Sequence, residues 1–182
     1  IALSQLSEVS DDPCAGLAEP YAARWPALAP VPWLPALGDG ACSNVGCGAV
    51  TPRRVTLMVG TSGAMRVVYE HARIHIPPGL WTYRLDRRRF VVGGALSEGG
   101  GLFAWLARLF GVEPDAALEA ELAAAEPDGH GLTILPFAAG ERSPGWSTHA
   151  RASIVGMTLD TRPVDILRAA LESVAYRFTL IA

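Results

Sequence analysis

A layered α/β or α+β domain, a sheet backed by helices, is the fold class this sequence predicts. Three observations predict it. β-like runs come first, at Val55-Thr56-Leu57-Met58-Val59 and Met65-Arg66-Val67-Val68-Tyr69. From residue 102 onward, apolar residues at helical spacing alternate with further strand-like runs. Half of the 182 residues are apolar and 18 % are charged, enough to bury a sizeable core and unlike a disordered chain.

The elements follow in order. Residues 1–36 carry Pro13, Pro20, Pro26, Pro30, Pro32 and Pro35. They read as an extended lead-in with one short helix at 20–25, which Trp25 and Trp33 are expected to pin to a core. Gly38-Asp39-Gly40 reads as a turn, and 41–49, small and glycine-punctuated, as a short, tightly packed helix. Gly60-Thr61-Ser62-Gly63 joins the first two strands in a hairpin. Two further strands are predicted at 80–85 and 89–92, joined through Asp86-Arg87-Arg88. Gly93-Gly94 and Gly99-Gly100-Gly101 flank the start of a helix at 102–110, which Gly111 stops. A second helix, 114–125, has Pro114 near its start. Residues 132–137 read as a buried strand, 138–150 as a polar loop and 153–159 as a short strand. The clearest helix is 163–182, with Ile166, Leu167, Ala170, Leu171, Val174, Phe178 and Ile181 on one face.

Composition removes several functions. The formal charge is -3 and the pI about 5.8, which argues against nucleic acid as a partner held by bulk electrostatics. All 15 basic residues are arginine. Without lysine there is no Walker-type phosphate loop, no Schiff base and no kinase of the protein-kinase type. Cys14, Cys42 and Cys47 are odd in number and lack a Cys-x-x-Cys, so neither a disulfide framework nor a structural zinc site is expected. The N-terminus lacks a signal-peptide pattern and no apolar run spans a membrane, so a soluble cytoplasmic chain is expected, with no membrane partner. The chain starts at Ile1 and ends within a helical pattern that nothing caps, which reads as a piece of a longer protein.

A few residues could carry chemistry. Asp39, between glycines after the run Trp33-Leu34-Pro35-Ala36-Leu37, could approach a substrate closely or be a turn aspartate. The Gly60–Gly63 turn exposes amides and hydroxyls that suit a phosphate, or is an ordinary hairpin. Gly99-Gly100-Gly101, opening a helix, could let a nucleotide approach or relieve crowding where helix meets sheet. His71 and His75 sit in an extended segment with no third ligand in view, and no metal site is assigned. His130 and His149 lie in loops without a recognisable partner. Glu141 and Arg142 could brace an interdomain surface or a substrate loop, or lie on a plain surface loop.

Taken together, these segments resemble the second half of the FGGY carbohydrate kinases. Ala152-Ser153-Ile154-Val155-Gly156-Met157, then seven residues, then Asp165-Ile166-Leu167-Arg168-Ala169-Ala170-Leu171-Glu172 resembles that family's second signature. Gly38-Asp39-Gly40-Ala41-Cys42-Ser43-Asn44-Val45-Gly46 looks like its catalytic-aspartate segment, and Gly60-Thr61-Ser62-Gly63-Ala64 like its second phosphate-binding hairpin. Gly140-Glu141-Arg142-Ser143-Pro144 also recurs in the family.

The resemblance implies an α/β, actin-like (ribonuclease-H-like) ATPase domain with a mixed sheet flanked by helices. Residues 1–36 would be a lead-in or interdomain segment, and 37–182 part of the family's C-terminal domain. The N-terminal kinase domain, an expected partner, and the C-terminal adenosine-binding segment would be absent. Asp39 would be the catalytic base. Gly60, Thr61, Ser62 and Gly63 would hold the ATP phosphates, Gly100 would lie near the nucleotide, and Mg²⁺ would neutralise phosphate charge. Family xylulose and glycerol kinases usually carry glutamine after the aspartate, where this chain has Gly40. The segment is most similar to gluconate kinases, which makes gluconate the first expected substrate and xylulose or another pentulose the second. The piece alone would be inactive, and its bare apolar face would favour a homodimer. The alternative is a non-catalytic half-kinase acting as a binding module; retention of Asp39 and of the glycine hairpin favours the kinase.

Overall fold

The computed structural model describes residues 13–182 except 15, 35 and 72–74. Short helix α1 (Tyr21–Arg24) and a 3-10 turn (Pro26–Leu28) open the chain, followed by α2 (Asp39–Gly46). Four strands come next: β1 (Val55–Val59), β2 (Gly63–Glu70), β3 (Trp81–Arg84) and β4 (Arg89–Leu96). Then follow α3 (Gly100–Phe110), α4 (Ala116–Ala124), β5 (Thr133–Leu135), β6 (Ser153–Val155) and the long helix α5 (Pro163–Thr179).

The larger sheet has the order β1-β2-β4-β3, and β5 pairs with β6. The α/β class and the flanking helices are as expected, but the sheet is not mixed: every pairing among the described strands is antiparallel. The physical reason is connectivity. A hairpin links β1 to β2 and another links β3 to β4, and neither leaves room for a parallel crossover.

Side chains alternate across the sheet. The registers Met58↔Ala64↔Ala95 and Thr56↔Arg66↔Gly93↔Trp81 put these residues on one face. Helix α2 packs against β2, and Ala41, Val68 and Val91 are buried. The core of the domain includes Leu96, Leu102 and Leu106 with Ile166, Leu167, Val174 and Phe178 of α5, and Met65 of β2 packs against it.

The two glycines expected to lie beyond β4 are inside it, because each makes room for a large side chain. A Cβ on Gly93 would lie 2.2 Å from the Met65 carbonyl and 3.1 Å from Trp81, and one on Gly94 would lie 2.8 Å from Ile181. Gly111 closes α3 at φ 63, as its position after the apolar run predicts.

Other expectations need correction. Trp25 and Trp33 do not reach a core; they are 44 % and 43 % exposed. Trp25 stacks on Tyr21 and lies under Arg24, and Trp33 exchanges both backbone hydrogen bonds with Cys14. Asp39 and Gly40 are not a turn but the first residues of α2. The strand at 132–137 shrinks to Thr133–Leu135, with Leu135 48 % exposed, because β6 is its one partner among the described strands. β6 ends at Val155, and Gly156 turns at φ 94 against the Gly131 carbonyl.

On α5, Leu171 is 41 % exposed while Ala169 and Ser173 are buried. At about 100° per residue, Leu171 lies just past one edge of the arc that Ile166, Ala170, Val174 and Phe178 define, and Ala169 lies within reach of the other. Asp165 starts this helix: its carboxylate accepts the Arg162 N–H at 2.9 Å, one turn back. Among the described residues no helix is long and apolar enough to cross a membrane.

Candidate active site

The hairpin between β1 and β2 is the first component. Gly60 donates its N–H to the Ser62 carbonyl at 2.9 Å, leaving Thr61 exposed at the tip. The first turn of α3 holds it from below. Gly100 N–H reaches the Gly60 carbonyl at 2.7 Å, and Gly101 N–H reaches the Thr61 carbonyl at 3.1 Å. Those two amides are therefore spent on the hairpin, not left open to an anion, and Gly100 meets the candidate phosphate loop through its backbone. A Cβ on Gly99 would lie 2.7 Å from both the Gly60 and Ser62 carbonyl oxygens, so the two segments fit only without a side chain there.

Asp39 is the second component. It is exposed at the N-terminus of α2, and its Oδ1 accepts the Gly40 N–H at 2.6 Å. A cavity of about 410 Å³ joins the two components: Asp39, Gly40, Ser62, Gly63, Trp81 and Arg66 are among its lining. The rings of Trp81 and Tyr83 stack with centroids 5.2 Å apart, giving the cavity an aromatic wall. Burial pushes the Tyr83 hydroxyl above its ordinary pKa, the Asp39 charge adds to this, and the Arg66 cation offsets part of it. A larger cavity of about 770 Å³, lined by Val55, Met65, Arg66, Tyr69, His75 and Leu180 among others, lies along β2; it holds neither Asp39 nor the hairpin tip.

The 140s loop is braced, not free. Glu141 pairs with Arg177 of α5, whose Nη2 also donates to the Ser143 carbonyl at 3.0 Å, and the Arg177 guanidinium sits 4.9 Å from the Phe137 ring centroid. Ser143 is fully buried; its N–H donates to Ala95 O at 2.9 Å and its hydroxyl accepts the Ala95 N–H at 3.1 Å. Arg142 stays exposed and lines the Asp39 cavity.

Glu98 lies at the junction of β4 and α3, 7 % exposed, and its Oε1 accepts the Ala139 N–H at 2.9 Å. Burial pushes its carboxyl above the ordinary range, and the Ala139 hydrogen bond offsets only part of that. The folded state therefore holds the proton more tightly than the unfolded chain, and stability falls as pH rises past the ordinary carboxylate value. Glu98→Gln keeps the acceptor and removes the charge. It is expected to melt higher than the parent near pH 8 and level with it near pH 4, by thermal denaturation at both. A lower melting point near pH 8 would show that the charge is compensated, with the Arg177 cation that favours the charged form as the source.

Sequence reading missed one cluster. Asp128, His130 and Glu172 place ligand atoms within 4.8 Å of one another. Leu132 N–H donates to His130 Nδ1 at 3.0 Å, so the ring proton is on Nε2 and points to Glu172 Oε2 at 3.2 Å. Both ring nitrogens are used. Glu172 also accepts from Asp128 N–H and from Arg168 at 2.9 Å, which makes the group a staple from the 126–132 turn to α5. A separation of 42 residues leaves no local signal for it. His71 and His75 flank 72–74, which lie outside the described residues.

Comparison with known proteins identifies the family. The C-terminal domain of the FGGY family of carbohydrate kinases matches residues 55–182. Gluconokinase of Bacillus subtilis is 30 % identical over 156 residues, 80 % of this chain and 30 % of that protein. Two Lactobacillus acidophilus structures are similar in fold. Ligand-bound xylulose kinase superposes with a TM-score of 0.74 at 26 % identity, over 88 % of this chain and 34 % of that one. Gluconate kinase superposes with a TM-score of 0.73 at 25 % identity, over 88 % and 33 %. The chain thus spans about a third of the length of the proteins it matches. With a family match over more than half its length, this chain belongs to the FGGY carbohydrate kinases.

Proposed function

We propose that this chain is the nucleotide-side part of a two-domain ATP-dependent sugar kinase, with 37–182 in its second domain and 1–36 leading into it. The reaction is transfer of the γ-phosphoryl group of ATP to a hydroxyl of a sugar or sugar acid. Asp39 takes the hydroxyl proton, the substrate oxygen bonds to the γ-phosphorus, and the bond to the ADP oxygen breaks. Gly60, Thr61, Ser62 and Gly63 hold the phosphates, with Gly100 behind them. Mg²⁺, when bound with the nucleotide, neutralises phosphate charge. The observation that carries this reading is the single cavity lined by both Asp39 and the end of the glycine hairpin. Gluconate is the first substrate proposed and xylulose the second, because the similar proteins include kinases named for each.

The test is ADP release by the intact protein from ATP and Mg²⁺ with gluconate, xylulose and glycerol in turn. Turnover with one of them is expected; none with any would return the chain to a binding role. Self-association of this piece is also proposed. The edge strand β1 carries no charge and no proline, and Val55, Leu57 and Val59 are each more than half exposed.

A further inference from the structure

We propose that Arg66 is the anion-reading residue of the Asp39 cavity, and that its ligand is the carboxylate of an open-chain sugar acid. This rests on the kinase reading above and narrows it to a substrate class.

Arg66 sits in the middle of β2, and its side chain is turned to the α2 face of the sheet by the register Thr56↔Arg66↔Gly93. Its Nε and Nη1 are buried and make no well-aligned hydrogen bond among the described residues; the neighbouring Tyr83 hydroxyl interacts with the guanidinium there. A guanidinium with two buried donors that lack well-aligned acceptors destabilises a fold. Here those donors belong to a residue that lines both the cavity holding Asp39 and the larger one along β2, and the Gly40 and Tyr83 contacts place its Nε on the Asp39 side. The Asp39 cavity also has Arg84 and Arg142 in its lining. Arg84 is already committed, donating to the carbonyls of Asp86 and Arg87 at 3.1 Å each. Arg142 is exposed to solvent. Arg66 is half-buried with two buried donors to offer, and a planar guanidinium matches a carboxylate through two parallel N–H donors.

The neighbouring residues are arranged around it. A Cβ on Gly40 would lie 2.4 Å from the Tyr83 hydroxyl and 2.9 Å from Arg66 Nε. Gly40 therefore leaves space that the arginine and tyrosine fill, directly beside the candidate base. The stacked Trp81 and Tyr83 rings offer an apolar wall to the C–H face of a polyol chain. A phosphate-holding role fits less well. Arg66 is three residues along the strand from Gly63, about 10 Å at strand rise, so the hairpin end and the arginine contact different ends of a ligand. A substrate with its reacting hydroxyl at one end and an acid at the other meets both.

The experiment compares gluconate with gluconamide, which keeps every hydroxyl and replaces the carboxylate by a neutral amide. Initial rates are measured on the intact kinase as found and as R66M and R66K. Without substitution, kcat/KM is expected to favour gluconate by about 100-fold. In R66M that ratio falls to near one, and in R66K it partly recovers. Equal rates with both compounds in the unsubstituted enzyme would overturn the proposal. So would an R66M that slows both equally, since Arg66 would then act on the transferred phosphoryl group.

A calorimetric titration of gluconate and gluconamide without ATP separates this inference from the kinase reading. Selective binding of gluconate that R66M loses supports it even where no ADP is released; equal or absent binding of both overturns it. R66M without ligand is expected to melt higher than the parent, because two buried donors without well-aligned acceptors are gone.

Discussion

Asp39→Asn is expected to lower kcat by about 10²–10⁴-fold while the dissociation constant for ATP stays nearly unchanged. The substitution is close to isosteric, and the amide oxygen can still accept the Gly40 N–H that Asp39 Oδ1 accepts. What it loses is the capacity to take a proton. On the proposed reading the hairpin, not this side chain, holds the nucleotide, so binding and chemistry separate cleanly. Rapid-quench turnover together with equilibrium nucleotide binding checks both halves. A variant that kept the parent kcat would remove Asp39 from the reaction. A variant that lost ATP binding in proportion would make it a positioning residue for the nucleotide.

Gly99→Ala is expected to be the most damaging single methyl in the site. Its Cβ would press on the carbonyl oxygens of Gly60 and Ser62, both at 2.7 Å, and on the Ser62 carbonyl carbon at 2.9 Å. These are backbone atoms and cannot rotate away. The hairpin has to lift off α3, which breaks the Gly100 and Gly101 hydrogen bonds to Gly60 and Thr61. Overpacking of this kind costs about 1–3 kcal/mol. The melting midpoint should drop by roughly 2–4 °C for each kcal/mol at this chain length. The KM for ATP should rise at the same time, because Thr61 moves with the hairpin. Unchanged stability and unchanged KM would mean that the hairpin rides freely over α3. Ser62→Ala, which leaves the backbone alone, serves as the comparison and should leave the midpoint almost where it was.

Much of the fold was legible from local pattern. The hairpin at 60–63, the stop at Gly111 and the face of α5 follow from turn chemistry and period, which act over a few residues. What was not legible depends on partners distant in sequence. Gly93 and Gly94 read as a break because glycine is poor in strands; their reason for being in β4 lies in Trp81 and Ile181, on opposite faces of the sheet. Trp25 and Trp33 read as anchors because large aromatics usually bury, yet among the described residues of the lead-in they meet Tyr21, Arg24 and Cys14 and stay exposed.

The site divides the same way. Asp39 and the glycine hairpin could be proposed from the letters alone. Arg66 could not. In the sequence it is one polar position in an alternating strand, indistinguishable from an outward-facing arginine. Its meaning comes from Gly40 and Tyr83 closing over it, which only the packed chain brings about. The one hint was Gly40 itself, standing where the resemblance to xylulose and glycerol kinases leads one to expect glutamine.

The brace around Ser143 has a kinetic side. Residues 138–150 contain no regular element, and such loops ordinarily open on their own many times before a domain unfolds. This one is bonded to Ala95 through both the Ser143 amide and its hydroxyl, and to α5 through Arg177. Its opening therefore requires β4 and the last helix to come apart together. Amide exchange at Ser143 should be as slow as at the centre of the sheet, so that the irregular part of the chain nearest the cavity keeps the same clock as the core.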